Sequence, residues 1–146
     1  MIKLSIIYNT EKEEAIKIYK ELSKYLKSKK EFEILDDKNL SQAEYIVVIG
    51  GDGTLLRSFK KIKSKEVRII AINSGTLGYL TEIRKDAYKK IFENILKGKI
   101  NIEERYFFTV KIGKKKYNAL NEIFLTKDNI KRNIVSSEIY VDDKFL

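Results

Sequence analysis

Four residues at positions 50–53, Gly-Gly-Asp-Gly, carry the clearest sign of chemistry in the sequence. They follow a run of aliphatic residues typical of a buried strand, so they lie at its carboxyl end, where α/β sheets bind ligands. Glycines let backbone N–H groups approach phosphate oxygens, and the N-terminus of a following helix attracts the same anion. Asp52 would repel a phosphate unless its carboxylate binds a cation or accepts a proton from an attacking hydroxyl group. The segment therefore predicts phosphoryl transfer instead of passive phosphate binding.

A plainer interpretation of these four residues is a tight turn, in which glycines supply positive φ angles and Asp52 forms an Asx turn. The segment lacks the Gly-Lys-Ser/Thr ending of a Walker A loop and the glycine spacing of a dinucleotide-binding fingerprint. Composition limits other chemistry, because the sequence contains no His and no Cys. Imidazole bases, thiol nucleophiles, disulfides and zinc clusters of the usual ligands are therefore excluded.

Hydrophobic periodicity predicts that strands and helices alternate through the first 98 residues. Thr10 and Glu13 match a capping box for the first helix, Thr54 is predicted to cap the second, and Gly98 is a typical helix-terminating residue. The predicted strands are 2–8, 32–35, 45–49 and 67–72, and the predicted helices are 10–28, one starting at 54, and 86–97. This alternation predicts an α/β fold, a Rossmann-like parallel sheet covered by helices on both faces.

Beyond residue 98 the pattern changes to short alternating runs separated by turn residues. Strands are predicted at 106–112, 117–120, 123–125 and 138–141, with a hairpin turn at 142–144. We therefore predict that residues 1–98 form an α/β domain with the phosphate loop and that residues 99–146 begin an antiparallel all-β domain. Because the sequence stops just after a predicted hairpin turn, we expect the chain to be truncated.

The net charge of the chain is +9, from 30 Lys and Arg residues against 21 Asp and Glu residues. Most of the excess Lys residues are scattered among Glu residues along predicted helices, which favours a solvated surface and no nucleic-acid partner. No apolar run approaches the ~20 residues needed to span a bilayer, and the N-terminus lacks a signal peptide. We therefore expect a cytoplasmic location and no membrane partner.

Three segments together resemble the NAD kinase family. Residues 50–54, Gly-Gly-Asp-Gly-Thr, resemble a signature that NAD kinases share with diacylglycerol and sphingosine kinases and, more distantly, with phosphofructokinases. Residues 73–80, Asn-Ser-Gly-Thr-Leu-Gly-Tyr-Leu, are similar to the Asn-x-Gly-x-Leu-Gly-Phe-Leu segment of NAD kinases. Asn121 and Glu122 are similar to the Asn-Glu pair of the same family. The order and spacing of the three segments favour NAD kinases over the lipid and sphingoid-base kinases, which remain the alternative.

The resemblance implies transfer of a phosphoryl group from ATP or inorganic polyphosphate to the adenosine-ribose 2′-hydroxyl of NAD, with a divalent metal such as Mg²⁺. It implies that Asp52 is the general base and that bacterial members form dimers or tetramers. No protein ligand to the metal is predicted. The implied nucleotide-binding residues are Gly50, Gly51, Asp52, Gly53, Arg57, Asn73, Tyr79, Asn121, Glu122 and Arg132. Among these, Asn121 and Glu122 would hold the adenosine group, and Tyr79 would place an aromatic ring beside the nucleotide.

The sequence departs from the family pattern in one respect. NAD kinases continue with a Gly-Asp-Gly segment and a Gly-Ser-Thr-Ala-Tyr loop that completes the nucleotide pocket, and nothing in this sequence corresponds to either. The family chain is about twice as long, by the same resemblance. We therefore expect the 146-residue chain to be inactive by itself, and a non-catalytic nucleotide-binding fragment is the second alternative.

Overall fold

In the computed structural model, which describes residues 1–62, 67–76, 78–124 and 136–146, a four-stranded parallel sheet organises the first part of the chain. The strands are β1 (Ile2–Tyr8), β2 (Phe32–Ile34), β3 (Tyr45–Gly50) and β4 (Arg68–Asn73), and the helices are α1 (Glu13–Lys27), α2 (Asp52–Phe59) and α3 (Tyr88–Leu96). The spatial order of the strands is β2-β1-β3-β4. The predicted α/β fold is confirmed.

Apolar layers lie on both faces of this sheet. Val47 of β3 packs in the larger layer with Leu22 of α1 and Phe92 of α3. Ile46, its neighbour in β3, points to the opposite face and packs with Leu55 of α2 in the smaller layer. Because β3 is buried on both faces, its sequence from 45 to 49 is continuously apolar instead of alternating.

Two short antiparallel pairs follow the parallel sheet. β5 (Phe108–Ile112) pairs with β6 (Lys115–Ala119), and β7 (Tyr140–Val141) pairs with β8 (Lys144–Phe145). Asp142 and Asp143 join the second pair with φ angles of 49° and 62°, as a two-residue hairpin turn requires. The strand predicted at 123–125 is wrong at residues 123 and 124, which lie outside any strand, while residue 125 lies outside the described residues. In the described parts of the chain, no helix is both long and apolar enough to cross a membrane.

The predicted capping box of the first helix is wrong. α1 begins at Glu13 with Lys12 as its N-cap residue, so Thr10 lies before the helix. The side-chain carbonyl of Asn9 accepts a hydrogen bond from the Glu11 amide at 3.0 Å. This local Asx-type turn follows β1. It includes Thr10, which the predicted capping box had placed at the start of the helix.

The first turn of α2 packs tightly against the end of β3. α2 begins at Asp52 with Gly51 as its N-cap residue, so the predicted cap at Thr54 is also wrong. The Thr54 side chain lies against Gly50 instead, and a Cβ atom added at Gly50 would be only 2.6 Å from the Cβ of Thr54. Thr54 is buried, which leaves its side chain little room to move away. Packing therefore requires glycine at position 50.

Replacing Gly50 by Ala is expected to lower the free energy of unfolding by about 1–3 kcal/mol, the usual cost of overpacking. The matched control is Gly51→Ala, because a Cβ added at Gly51 meets nothing within 4 Å. We expect the control to change stability by less than about 0.5 kcal/mol. Urea unfolding followed by far-UV circular dichroism measures both, and equal losses would contradict the packing argument.

Candidate functional site

The carboxyl ends of β1, β3 and β4 form one edge of the parallel sheet. The amide of Asn9 donates to the Ile49 carbonyl at 3.0 Å, and the amide of Ser74 donates to the Gly50 carbonyl at 3.1 Å. β1 and β3 are neighbours, yet α1 and α2, which follow them, pack in opposite apolar layers. The direction in which successive strands are added to the sheet therefore reverses between β1 and β3, and such switch points leave a crevice in which α/β proteins bind ligands.

The Asp52 carboxylate is enclosed by the segment that follows β4. Its Oδ2 accepts a hydrogen bond from the Tyr79 amide at 2.8 Å. Its Oδ1 accepts from the amides of Leu80 at 3.1 Å and Thr81 at 2.9 Å, and from the Thr81 hydroxyl at 2.9 Å. Three consecutive N–H groups thus converge on one carboxylate, as in the backbone nests that bind anions. This clamp fixes the Gly-Gly-Asp-Gly loop to residues 79–81.

The charge state of Asp52 follows from this clamp. Burial at the sheet edge would by itself raise the pKa of Asp52. The hydrogen bonds from the Thr81 hydroxyl and from the amides of Tyr79, Leu80 and Thr81 outweigh burial and lower the pKa below its ordinary value. The carboxylate is therefore ionised at neutral pH, which is the form that accepts a proton.

Gly78 provides the space that the clamp needs. A Cβ atom added at this position would lie 2.7 Å from the Asp52 Cγ and 2.7 Å from the Thr81 Oγ1. Both atoms belong to the hydrogen-bonded clamp, so neither is free to shift without breaking it. The backbone of residue 78 therefore approaches the carboxylate closely only because the residue is glycine.

Asn73 supports the clamp from beneath. It is 4% exposed. Its Nδ2 donates to the Thr81 hydroxyl at 2.8 Å and to the Thr81 carbonyl at 3.3 Å, while its Oδ1 accepts from the Gly75 amide at 2.7 Å. The side chain thus holds residues 75 and 81 together, and the direct nucleotide contact expected for Asn73 stays a prediction.

Tyr79 and Asn121 lie on one cavity of about 290 Å³. The Tyr79 ring is 78% exposed, and the Arg105 guanidinium lies 5.3 Å from its centroid. Arg105 also pairs with Glu103 at 2.9 Å and Glu82 at 3.4 Å. Because the Tyr79 amide binds Asp52, the structure brings the loop after β3, the segment after β4 and Asn121 to one side of the molecule. An exposed aromatic ring beside a guanidinium group is a suitable surface for a flat heterocycle.

The remaining predicted residues are less closely connected to this site. Gly51 and Gly53 lie in the loop, and a Cβ atom added at either would meet nothing within 4 Å. Arg57 is exposed in the last turn of α2, and Glu122 is exposed after Asn121. Arg132 lies outside the described residues. Gly78, Thr81 and Arg105 are the site residues that sequence reasoning did not assign, and only Gly78 had a signal there, as the second glycine of residues 73–80.

The described residues do not form a metal centre of their own. They contain no group of three or more His, Cys, Asp or Glu side chains arranged to hold an ion. Asp52 is the carboxylate of the loop itself, and its two oxygens accept four hydrogen bonds from the protein. The described residues therefore do not fit a protein-made Mg²⁺ site, and the metal implied by the resemblance stays a prediction.

Sequence comparisons place the chain among known proteins. A sequence model of the ATP-NAD kinase N-terminal domain matches residues 36–100. The NAD kinase of Fusobacterium nucleatum subsp. nucleatum is 92% identical over 146 residues, which is all of this chain and 55% of that protein. An NAD kinase of Clostridium botulinum, type A, is 39% identical over 113 residues, covering 75% of this chain and 40% of that protein. The chain thus spans about half the length of the curated relatives it matches.

Structural comparisons agree on the fold. A crystal structure of yeast NADH kinase complexed with NADH matches with a TM-score of 0.68 at 13% identity, over 82% of this chain and 43% of that one. The NAD kinase of Archaeoglobus fulgidus, solved in complex with ATP, matches with a TM-score of 0.50 at 23% identity, over 74% of this chain and 41% of that one. From the sequence relatives, the matched domain and the common fold together, we conclude that the chain belongs to the NAD kinase family and corresponds to its N-terminal part.

Proposed function

We propose that the complete protein is an NAD kinase, which transfers a phosphoryl group from ATP or polyphosphate to the adenosine-ribose 2′-hydroxyl of NAD. The observation that carries the proposal is the Asp52 carboxylate, held by hydrogen bonds in the glycine loop at the switch point of a parallel sheet. The protein from Fusobacterium nucleatum that shares 92% of these residues is named an NAD kinase, which supports the same activity here. The relatives and structures named above are NAD or NADH kinases, and none of these four is a lipid or sphingoid-base kinase.

Each part of the site has a role in this proposal. Backbone N–H groups at residues 50–53 and the first turn of α2 would bind phosphate oxygens, since helix N-termini attract anions. The Asp52 carboxylate would accept the proton of the attacking hydroxyl group. Tyr79 and Asn121, which share one cavity with Arg105, would bind the adenine and its ribose. Gly51 and Gly53, where an added Cβ atom would meet nothing within 4 Å, would let the donor approach the backbone closely.

The division of the chain follows the same proposal. Residues 1–98 would be the domain that carries the phosphate loop, and residues 99–146 would begin the domain that contributes Asn121 and Glu122. Mg²⁺ commonly binds through substrate phosphates and water instead of an all-protein cage, which is consistent with the ligand-poor surroundings of Asp52. The cytoplasmic location and the dimeric or tetrameric state stay predictions.

The test is an assay of NADP formation. We expect the product of the complete gene to form NADP from NAD with ATP or polyphosphate in the presence of Mg²⁺, detected with an NADP-specific dehydrogenase. The 146-residue chain alone should form none, because the resemblance assigns much of the nucleotide pocket to residues beyond it. Diacylglycerol and sphingosine, offered with ATP, are the control acceptors.

Three outcomes of this assay are informative. No NADP from the complete protein with either donor would refute the proposed activity. Phosphorylation of a control acceptor in place of NAD would favour the lipid-kinase alternative. Equal turnover by the 146-residue chain would show that this chain is already a complete catalyst, contrary to the expectation of an inactive fragment.

A further inference from the structure

The two oxygens of the Asp52 carboxylate differ in how many hydrogen bonds they accept. Oδ1 accepts three, from the amides of Leu80 and Thr81 and from the Thr81 hydroxyl. Oδ2 accepts one, from the Tyr79 amide. A carboxylate offers about four lone-pair sites in all, or about two on each oxygen. Oδ1 is therefore saturated, and the remaining acceptor capacity of the side chain lies on Oδ2.

The Thr81 hydroxyl adds to this difference, which the two amides already set up, and its direction is fixed by its neighbours. The Gly75 amide donates to the Asn73 Oδ1, which orients the carboxamide so that its Nδ2 faces Thr81. The Thr81 oxygen accepts from that Nδ2 at 2.8 Å, so its single proton is left for the Asp52 Oδ1 at 2.9 Å. Thr81 is 0% exposed, so water does not compete for either bond. A one-way chain of hydrogen bonds thus runs from Gly75 through Asn73 and Thr81 to Asp52.

We propose that Thr81 is a positioning residue for Asp52: together with the amides of Leu80 and Thr81, its hydroxyl holds Oδ1, so that Oδ2 is the atom that accepts the proton of the acceptor hydroxyl. The proposal rests on the proposed kinase function. In the step itself, that proton moves to Oδ2 while the hydroxyl oxygen bonds to the terminal phosphorus of the donor. The bond from this phosphorus to the leaving oxygen breaks, releasing ADP or a shortened polyphosphate. Thr81 touches neither reactant and acts only through Asp52.

The test compares Thr81→Val with Thr81→Ser in the complete protein. Val keeps the branched shape and removes the hydroxyl, whereas Ser keeps the hydroxyl. We expect Val to lower kcat by roughly 10–100-fold, as expected when a reacting group is held less well, with KM for NAD changed by less than about threefold. Ser should restore kcat to within about threefold of the wild-type value. Asn73 keeps the Thr81 carbonyl as an acceptor in the Val variant, which favours folding.

The pH profile separates positioning from simple loop support. In the described residues, the groups that shift the pKa of Asp52 are its own burial, which raises it, and the Thr81 hydroxyl with three amides, which lower it. Removing the hydroxyl therefore raises the pKa of Asp52, and the acid limb of the kcat profile should move to higher pH in the Val variant only. A purely structural role would lower stability or raise KM without moving that limb.

Carboxyl NMR and the Asp52→Asn variant make the outcomes distinguishable. The Asp52 Cγ resonance of the 146-residue wild-type chain should titrate below the ordinary range of a carboxyl group, and that midpoint should rise in Thr81→Val. An ordinary midpoint in the wild-type chain would overturn the proposal even if the Val variant fails to fold. A Val variant with wild-type kcat and acid limb, beside an inactive Asp52→Asn, would overturn the role of Thr81 alone. A fully active Asp52→Asn would instead remove Asp52 as the base and with it the proposed mechanism.

Discussion

Replacing Asp52 by Asn is expected to lower the turnover of the complete protein by roughly 10²–10⁴, the usual contribution of a positioned general base. Asn retains the size of the side chain and cannot accept the proton of the acceptor hydroxyl. NAD affinity should change only a few-fold, because the aromatic and amide groups of the cavity at Tyr79 and Asn121 are unaltered. Steady-state kinetics at saturating NAD and ATP, with calorimetric NAD binding, measure both quantities.

The clamp adds a structural effect to this substitution. An Asn side chain at position 52 presents one oxygen and one NH₂ group, so at least one of the four donors that now face the carboxylate would lose its acceptor. An unsatisfied donor costs about 1–3 kcal/mol when it is buried and less when it is exposed, as the Tyr79 amide is, so unfolding must be measured beside turnover. Asp86→Asn is the control, because this carboxylate is exposed and forms a surface ion pair with Arg84 at 3.4 Å.

The result also depends on pH in a defined sense. Because folding lowers the pKa of Asp52, its stabilisation is present above the ordinary carboxyl pKa and is lost as pH falls through the lowered value. The stability difference between wild type and Asp52→Asn should therefore shrink in acid. Near wild-type turnover by the variant at neutral pH would show that the carboxylate is not the base.

Replacing Gly78 by Ala is expected to lower turnover by at least roughly 100-fold, since small displacements of reacting groups have effects of that size. The added Cβ would lie 2.7 Å from the Asp52 Cγ and 2.7 Å from the Thr81 Oγ1. A flexible side chain would simply rotate away, but Asp52 is fixed by four hydrogen bonds. Either the carboxylate leaves the clamp or residues 79–81 move from it. We also expect a loss of about 1–3 kcal/mol in the free energy of unfolding.

Gly75→Ala is the matched control for Gly78→Ala. The two glycines lie in the same segment, but a Cβ at Gly75 meets only the Lys12 Nζ, at 3.9 Å, which is an ordinary contact. Steady-state kinetics and urea unfolding of both variants measure the changes in turnover and in the free energy of unfolding. Similar small effects from the two substitutions would mean that the clamp tolerates a Cβ atom and that the close approach at Gly78 is unimportant.

The parallel sheet could be predicted from the sequence because its strands are local patterns. The run at 45–49 has no polar residue to give it a solvent face, which indicates burial on both sides, and the structure confirms it. The helix starts were harder to predict. Thr10 and Thr54 have the right side chains for caps, but an Asx-type turn at Asn9 and the contact of Thr54 with Gly50 decide where α1 and α2 begin. Tertiary packing overrode a local preference in both cases.

Only the part of the site that is marked by unusual side chains could be predicted from the sequence. Asp52 was found because a carboxylate among glycines is chemically unusual. The hydrogen-bond donors to Asp52 were not predicted, because three of the four are backbone amides, and the residue types in a sequence do not show which amides will be donors. Arg105 had no signal either, because it is one of 30 basic residues and its position over Tyr79 depends on the fold.

The position of β4 in the sheet determines how easily the site is lost by local unfolding. β4 is an outer strand of the four-stranded sheet, and its Arg68 and Ile69 are exposed. β3 pairs with it along one side, whereas on the other side, among the described residues, it has a single bridge, from Ile72 to Ile83. The bonds from residues 79–81 to Asp52 join groups 27 to 29 positions apart in the sequence, and β4 is the element that carries the chain between them. In amide hydrogen exchange, elements at the edge of a sheet open locally at a lower free-energy cost than those at its centre. Fraying of β4 would therefore dismantle the Asp52 clamp while β1, β3 and α1 remain folded.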